Sequence, residues 1–129
     1  KAEVERIDKG CVNGEAIWAA PDFNDAAWKS MKVPGLMQEQ DLPGFSGLVW
    51  FRKTIDIPAG WAGKDLILNL GVIDDNDFTY FNGIQIGHTE GWMAPRSYKI
   101  PKELVKKGKA VIAVRVNGYW WYWWYQWKS

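Results

Sequence analysis

The sequence is short of the residues that most often do chemistry. It holds one cysteine, Cys11, and one histidine, His88. A lone cysteine closes no internal disulfide, so the fold must stand without one and the redox compartment is not readable from it. Cys11 and His88 fall in unrelated elements, and serines 30, 46, 97 and 129 lie in no Gly-x-Ser-x-Gly elbow, so no nucleophile–base pair is expected. Neither sign of charge dominates, with 16 Lys and Arg against 15 Asp and Glu. Without a basic block the chain has no electrostatic footprint for nucleic acid. No apolar run approaches the ~18 residues of a membrane span. No positively charged stretch leads into an apolar one at the start, so no signal peptide is expected among these residues.

What remains is 129 residues, enough to bury a core in one domain, with ten tryptophans and thirteen glycines. Half of the tryptophans lie between Trp120 and Trp127, so the tail biases that statistic. The most readable stretch is 71–87. Its Asn82-Gly83 is the dipeptide that best tolerates positive φ at both centres of a two-residue turn. Phe78 to Phe81 and Ile84 to Ile86 flank it with β-branched and aromatic side chains, which predicts an antiparallel hairpin. Leu48 to Ile57 and Val111 to Val116 read as strands, and Tyr98 to Ile100 as a short extended piece. Leu66, Leu68 and Leu70 alternate with Asp65, Ile67 and Asn69, giving one buried and one exposed face. Pro101 to Gly108 has proline at the start and glycine at the end of a helical turn or two. Lys1 to Lys9 has a weak helical spacing, 36–46 reads as a surface loop, and Trp18 and Trp28 are expected to pin an irregular segment to the core. Short strands with a turn every ~8–12 residues predict an all-β chain, a single antiparallel β-sandwich or jelly roll.

Several constellations invite a functional reading. Asp74, Asp75 and Asp77 offer carboxylates for a hard cation such as a structural calcium. The spacing is not that of an EF-hand, and the favoured alternative is that these side chains bond their own backbone through the turn. Arg52, placed in a strand, must face solvent or pair with a carboxylate such as Asp75 or Asp77. Trp61, Trp92, Arg96 and His88, read as loop residues, combine aromatic faces with planar donors, the chemistry that holds a sugar. Their structural alternative is that the tryptophans cap the ends of the sandwich. In the tail, Asn117-Gly118 is a second tight-turn signal. It predicts a further hairpin that sets Arg115 over Trp120 and leaves Trp120, Tyr122 and Trp124 on one outer face. An aromatic patch of that size is expected to meet something, a second copy of the chain first of all.

As a set, several motifs resemble the sugar-binding-like jelly-roll domain of family 2 glycosidases. They are Phe23-Asn24-Asp25 with Trp28, Val33-Pro34-Gly35, Gly47 to Lys53, Trp61 to Lys64, Gly71 to Asp77, Asn82-Gly83, Gly87, Arg96-Ser97-Tyr98, Ile100-Pro101 and Val114-Arg115-Val116. Asp8-Lys9-Gly10 and Ile73 to Asp77 are closer in wording to the domain inserted in bacterial sialate O-acetylesterases. The resemblance covers about residues 8–117, and residues 118–129 depart from it. It implies a galactose-binding-like β-sandwich that accompanies the catalytic hydrolase domain of a parent enzyme, with the catalytic triad in that other domain. It further implies a periplasmic or secreted bacterial protein, no cofactor beyond the structural calcium already raised, and a glycan as a candidate partner for the loops named above. The expected role is therefore a non-catalytic accessory domain. Its alternatives are a stand-alone carbohydrate-binding module or an engineered variant that self-associates through its tail.

Overall fold

A computed structural model of the chain describes residues 8–28, 46–73 and 75–119. These residues build eight strands: β1 (Cys11–Val12), β2 (Glu15–Ala16), β3 (Ser46–Ile57), β4 (Leu66–Val72), β5 (Asn76–Phe81), β6 (Ile84–Thr89), β7 (Pro95–Ile100) and β8 (Gly108–Tyr119). Three single 3-10 turns, Ile17–Ala19, Ala59–Trp61 and Lys102–Leu104, complete the regular structure. Every strand pairing is antiparallel. One sheet has the order β3-β8-β5-β6, a second pairs β4 with β7, and β1 and β2 form a small hairpin of their own. The predicted all-β sandwich is what the chain forms.

The alternation read in the sequence is the one that closes the two layers. Leu68 and Leu70 of β4 face Phe81, Ile112, Val114 and Val116 of the larger sheet, and all of them are buried. The other face of that sheet is buried as well, because residues 8–28 lie across it. There Trp50, Tyr80 and Ala113 pack with Ala19, and Trp18 and Trp28 close over them. Trp18 meets Trp28 edge-on at 5.2 Å and Trp50 at 6.3 Å. Central β8 is therefore covered on both sides, which is why Ala110 to Val114 is an unbroken apolar run without alternation.

Asn82 and Gly83 take φ of 46° and 82°, the positive pair required by the predicted turn. A bulge between Thr79 and Tyr80 shifts the β5–β6 register. The expected hairpin at Asn117-Gly118 does not form. Asn117 pairs with Leu48 on one side and Asn76 on the other, and Gly118 and Tyr119 continue along β3 opposite Gly47 and Ser46. Pairing with β3 along its whole length, and with β5 at Asn117, holds this stretch extended, and that outweighs the local turn preference. Trp120, Tyr122 and Trp124 lie outside the described residues, as do Asp74, nearly all of the N-terminal helical spacing and almost all of the loop read at 36–46. His88 and Arg96, read as loop residues, lie in strands instead, since β6 runs to Thr89 and β7 begins at Pro95.

Candidate functional site

The core face of β7 carries Arg96 and Tyr98, and the core face of β5 carries Asp77 and Thr79. Between the sheets these side chains make a buried polar network. Arg96 Nε donates to Asp77 Oδ1 at 2.7 Å, and both side chains are fully enclosed. The other guanidinium donors reach the carbonyls of Gly91, Ala94, Asp75 and Thr89. All the donors of the fork are thus used, the condition under which a buried cation is tolerable. Asp77 also accepts from Thr79 Oγ1 at 2.7 Å and from the Tyr98 hydroxyl at 2.8 Å. The Tyr98 proton being committed to Asp77, Thr89 Oγ1 donates to Tyr98 across 2.7 Å. Burial first, then the Asp77 hydrogen bond and charge, push the Tyr98 phenol far above its ordinary range. Gly87 makes room for the ring, because a Cβ there would sit 2.2 Å from Tyr98 Cδ1.

Two further ionic contacts hold residues 8–28 against the outer face of the larger sheet. Arg52 Nε donates to Asp25 at 2.9 Å while its terminal nitrogens donate to the carbonyls of Trp18, Ala20 and Phe23. Asp8 accepts from Arg115 Nε at 2.6 Å, from Trp50 Nε1 at 2.9 Å and from the Gly10 amide at 2.9 Å. Burial alone would raise the Asp8 carboxyl, but these donors outweigh it and hold it below the ordinary aspartate value. Beside it, burial and the Asp8 carboxylate push the Cys11 thiol up, which keeps it protonated and a poor nucleophile. Arg115 lies over the Phe78 ring at 5.4 Å, and Phe78 stacks face to face on His88 at 4.1 Å; the expected contact with Trp120 falls outside the described residues.

The four residues read as a sugar site are not assembled into one. Arg96, expected to face a glycan, points inward, 1% exposed, with every donor engaged. It serves instead to fix the loop from Glu90 to Ala94, whose tip shows Trp92 and Met93 at 60% and 68% exposure. His88 lies on β6, its contacts being Phe78 and Glu90. Trp61 borders a separate, mostly apolar opening of about 410 Å³ with Ile55, Leu66 and Ile67, at the margin where β3 and β4 approach. Neither Trp92, Arg96 nor His88 contributes to that opening.

The carboxylate readings change too. Asp77 is occupied by Arg96, Tyr98 and Thr79, and the Asp75 carbonyl accepts from Arg96. Among the described residues no three His, Cys, Asp or Glu side chains gather where a metal ion would sit. Arg52 pairs with Asp25 rather than with Asp75 or Asp77. Asp8 and Asp25 stand in the sequence within the motifs quoted above, and Tyr80 within a predicted strand, but nothing there points to their partners. Asp8 stands 42 residues from Trp50 and 107 from Arg115, a separation at which one sequence carries no signal of contact.

A second recess, about 870 Å³ and open to solvent, runs between residues 14–24 and the β5–β6 turn. Glu15, Ile17, Asp22, Asn24, Tyr80 and Gln85 help to line it.

No family model matches the chain. Solved structures do. A β-glucuronidase 2 of Bacteroides uniformis, bound covalently to a cyclophellitol-6-carboxylate aziridine, matches 77% of this chain at 25% identity, with a TM-score of 0.67. The β-glucuronidase of Ruminococcus gnavus matches 70% at 26% identity, with a TM-score of 0.64. The chain spans only 12% and 16% of those two enzymes. It is an antiparallel β-sandwich of the kind that β-glucuronidases carry as a small part of a much longer chain.

Proposed function

We propose that the chain is a non-catalytic accessory domain of a carbohydrate-active enzyme, packing against the catalytic domain and shaping its entrance. The observation that carries this reading is the match to a small fraction of each β-glucuronidase. The site geometry supports it. His88 contacts an aromatic ring and a carboxylate, and the buried network uses its charges on one another. Neither arrangement presents a nucleophile with a base. The Trp92–Met93 tip, held from beneath by Arg96, is an apolar contact already ordered before docking, which lowers the entropic cost of association. The finer reading places the parent among sialate O-acetylesterase-like enzymes, on the wording of Asp8-Lys9-Gly10 and Ile73 to Asp77.

The test is hydrolysis. The purified chain is expected to leave 4-nitrophenyl acetate and 4-nitrophenyl β-glucuronide at the uncatalysed rate. Turnover of either that disappears in His88→Ala would sink the accessory reading.

A further inference from the structure

We propose that copies of this chain associate end to end, the Trp92–Met93 tip of one seating in the apolar opening beside Trp61 of the next. The tip shows Trp92 and Met93 at 60% and 68% exposure, and Arg96 holds it from beneath. The opening, about 410 Å³, is bordered by Ile55, Trp61, Leu66, Ile67 and Ile100. Trp61 and Ile67 are themselves 40% and 56% exposed. The opening exists because the two layers differ in width. The β4–β7 pair faces a sheet of four strands, and the inner face of edge strand β3 is only partly covered at Ile55. A recess of this size can enclose a large side chain, and apolar surface at both ends marks two contact faces.

Charge decides which faces meet. Around the opening the chain is basic: Lys64, Lys106 and Lys107 are exposed, and none pairs with a carboxylate among the described residues. The Gly63 amide donates to the Val105 carbonyl at 2.9 Å, which ties the two lysine-bearing segments together. The tip is acidic. Glu90 flanks it with its side chain 75% exposed, and Asp75 is fixed beside it by the carbonyl that accepts from Arg96. From Asp65 to Tyr98 there is no lysine, and the one arginine, Arg96, is spent on Asp77. Opposite potentials favour tip in opening over tip on tip or opening on opening.

One chain cannot make this contact with itself. β7 begins at Pro95 beside the tip, opposite Val72, and ends at Ile100 in the opening, opposite Leu66. Tip and opening therefore lie at opposite ends of the sandwich, about 17 Å apart at the rise of a strand. A contact between unlike faces leaves one tip and one opening free on every dimer. Growth then continues with concentration unless the rotation closes a ring. The proposal stands apart from the accessory reading, although a hydrolase domain seated on the tip would compete with a second copy.

The experiment is sedimentation velocity of the whole chain from about 10 μM to 1 mM, bracketing a Kd on the order of 100 μM for so small a contact. The average mass is expected to rise with concentration and to fall back when salt is raised from about 0.05 to 0.5 M. Trp92→Ser alters only the tip and Ile67→Glu only the opening, and each alone is expected to sediment as a monomer. Mixed, the two are expected to form a dimer and nothing larger, because one usable tip meets one usable opening. Thermal midpoints check that each variant folds, and Trp61→Ser replaces Ile67→Glu if the latter does not. The proposal is overturned by a monomer at the highest concentration, by a mixture that stays monomeric, or by association that survives Trp92→Ser. Association that survives Trp92→Ser but is lost with Trp120→Ser, Tyr122→Ser and Trp124→Ser together would put the contact in the aromatic tail, and overturns it equally.

Discussion

Arg96 and Arg52 are both enclosed, fork-shaped cations, but their carboxylate partners differ in access to water. Asp77 is fully enclosed, whereas the Asp25 side chain is 42% exposed. Arg96→Met strands a charge between the sheets and is expected to cost about 3–5 kcal/mol in urea unfolding, much of it recovered by adding Asp77→Leu. Arg52→Met leaves Asp25 free to rehydrate and is expected to cost distinctly less, so equal losses would contradict the difference in burial. Asp8 adds a pH dependence whose sign follows from its lowered pKa. The fold favours the ionised form, so the contribution is intact above the ordinary value of 3.8 and is lost as pH falls through the lower native value. Asp8→Asn is therefore expected to flatten the acid limb of a plot of thermal midpoint against pH. Tyr98 runs the other way: its raised pKa means its contribution is complete below the ordinary value of 10.0 and declines as pH rises beyond it.

At the scale of strands and turns, two glycines separate steric crowding from backbone strain. A Cβ at Gly87 would meet the Tyr98 ring at 2.2 Å, so Gly87→Ala must displace a ring tied into the inter-sheet network. The expected loss is at least ~1–3 kcal/mol, the overpacking range, read by denaturant unfolding. At Gly83 the nearest atoms stand 3.6 Å away and only the φ of 82° resists a side chain. Gly83→Ala is expected to cost ~1–2 kcal/mol. The strands were legible because their alternation and turn chemistry are local: β4 and the β5–β6 hairpin follow directly from Leu66, Leu68, Leu70 and Asn82-Gly83. The tail departs from its expected turn for the complementary reason. Asn117-Gly118 has the right local chemistry, but its conformation is decided by β3 and β5, whose pairing is not written in neighbouring residues.

For the molecule as a whole, the candidate site was the least legible part. Arg96 looked like a sugar ligand because a loop arginine beside a tryptophan has the right chemistry. Only the packing of β7 on β5 shows that it is spent inside. The recess beside Tyr80 is not legible in the sequence because its lining comes from two distant stretches. The inter-sheet ion pair also bears on how the sandwich comes apart. Prising β4 and β7 away from the larger layer would strand Arg96 and Asp77 on opposite halves, each stripped of its counter-ion. A half-opened intermediate is thereby penalised, and the two layers should separate in one step. Native-state hydrogen exchange would register this as a common opening free energy for the amides of Leu68, Tyr98 and Val114, one that splits into two classes once Arg96→Met and Asp77→Leu are combined.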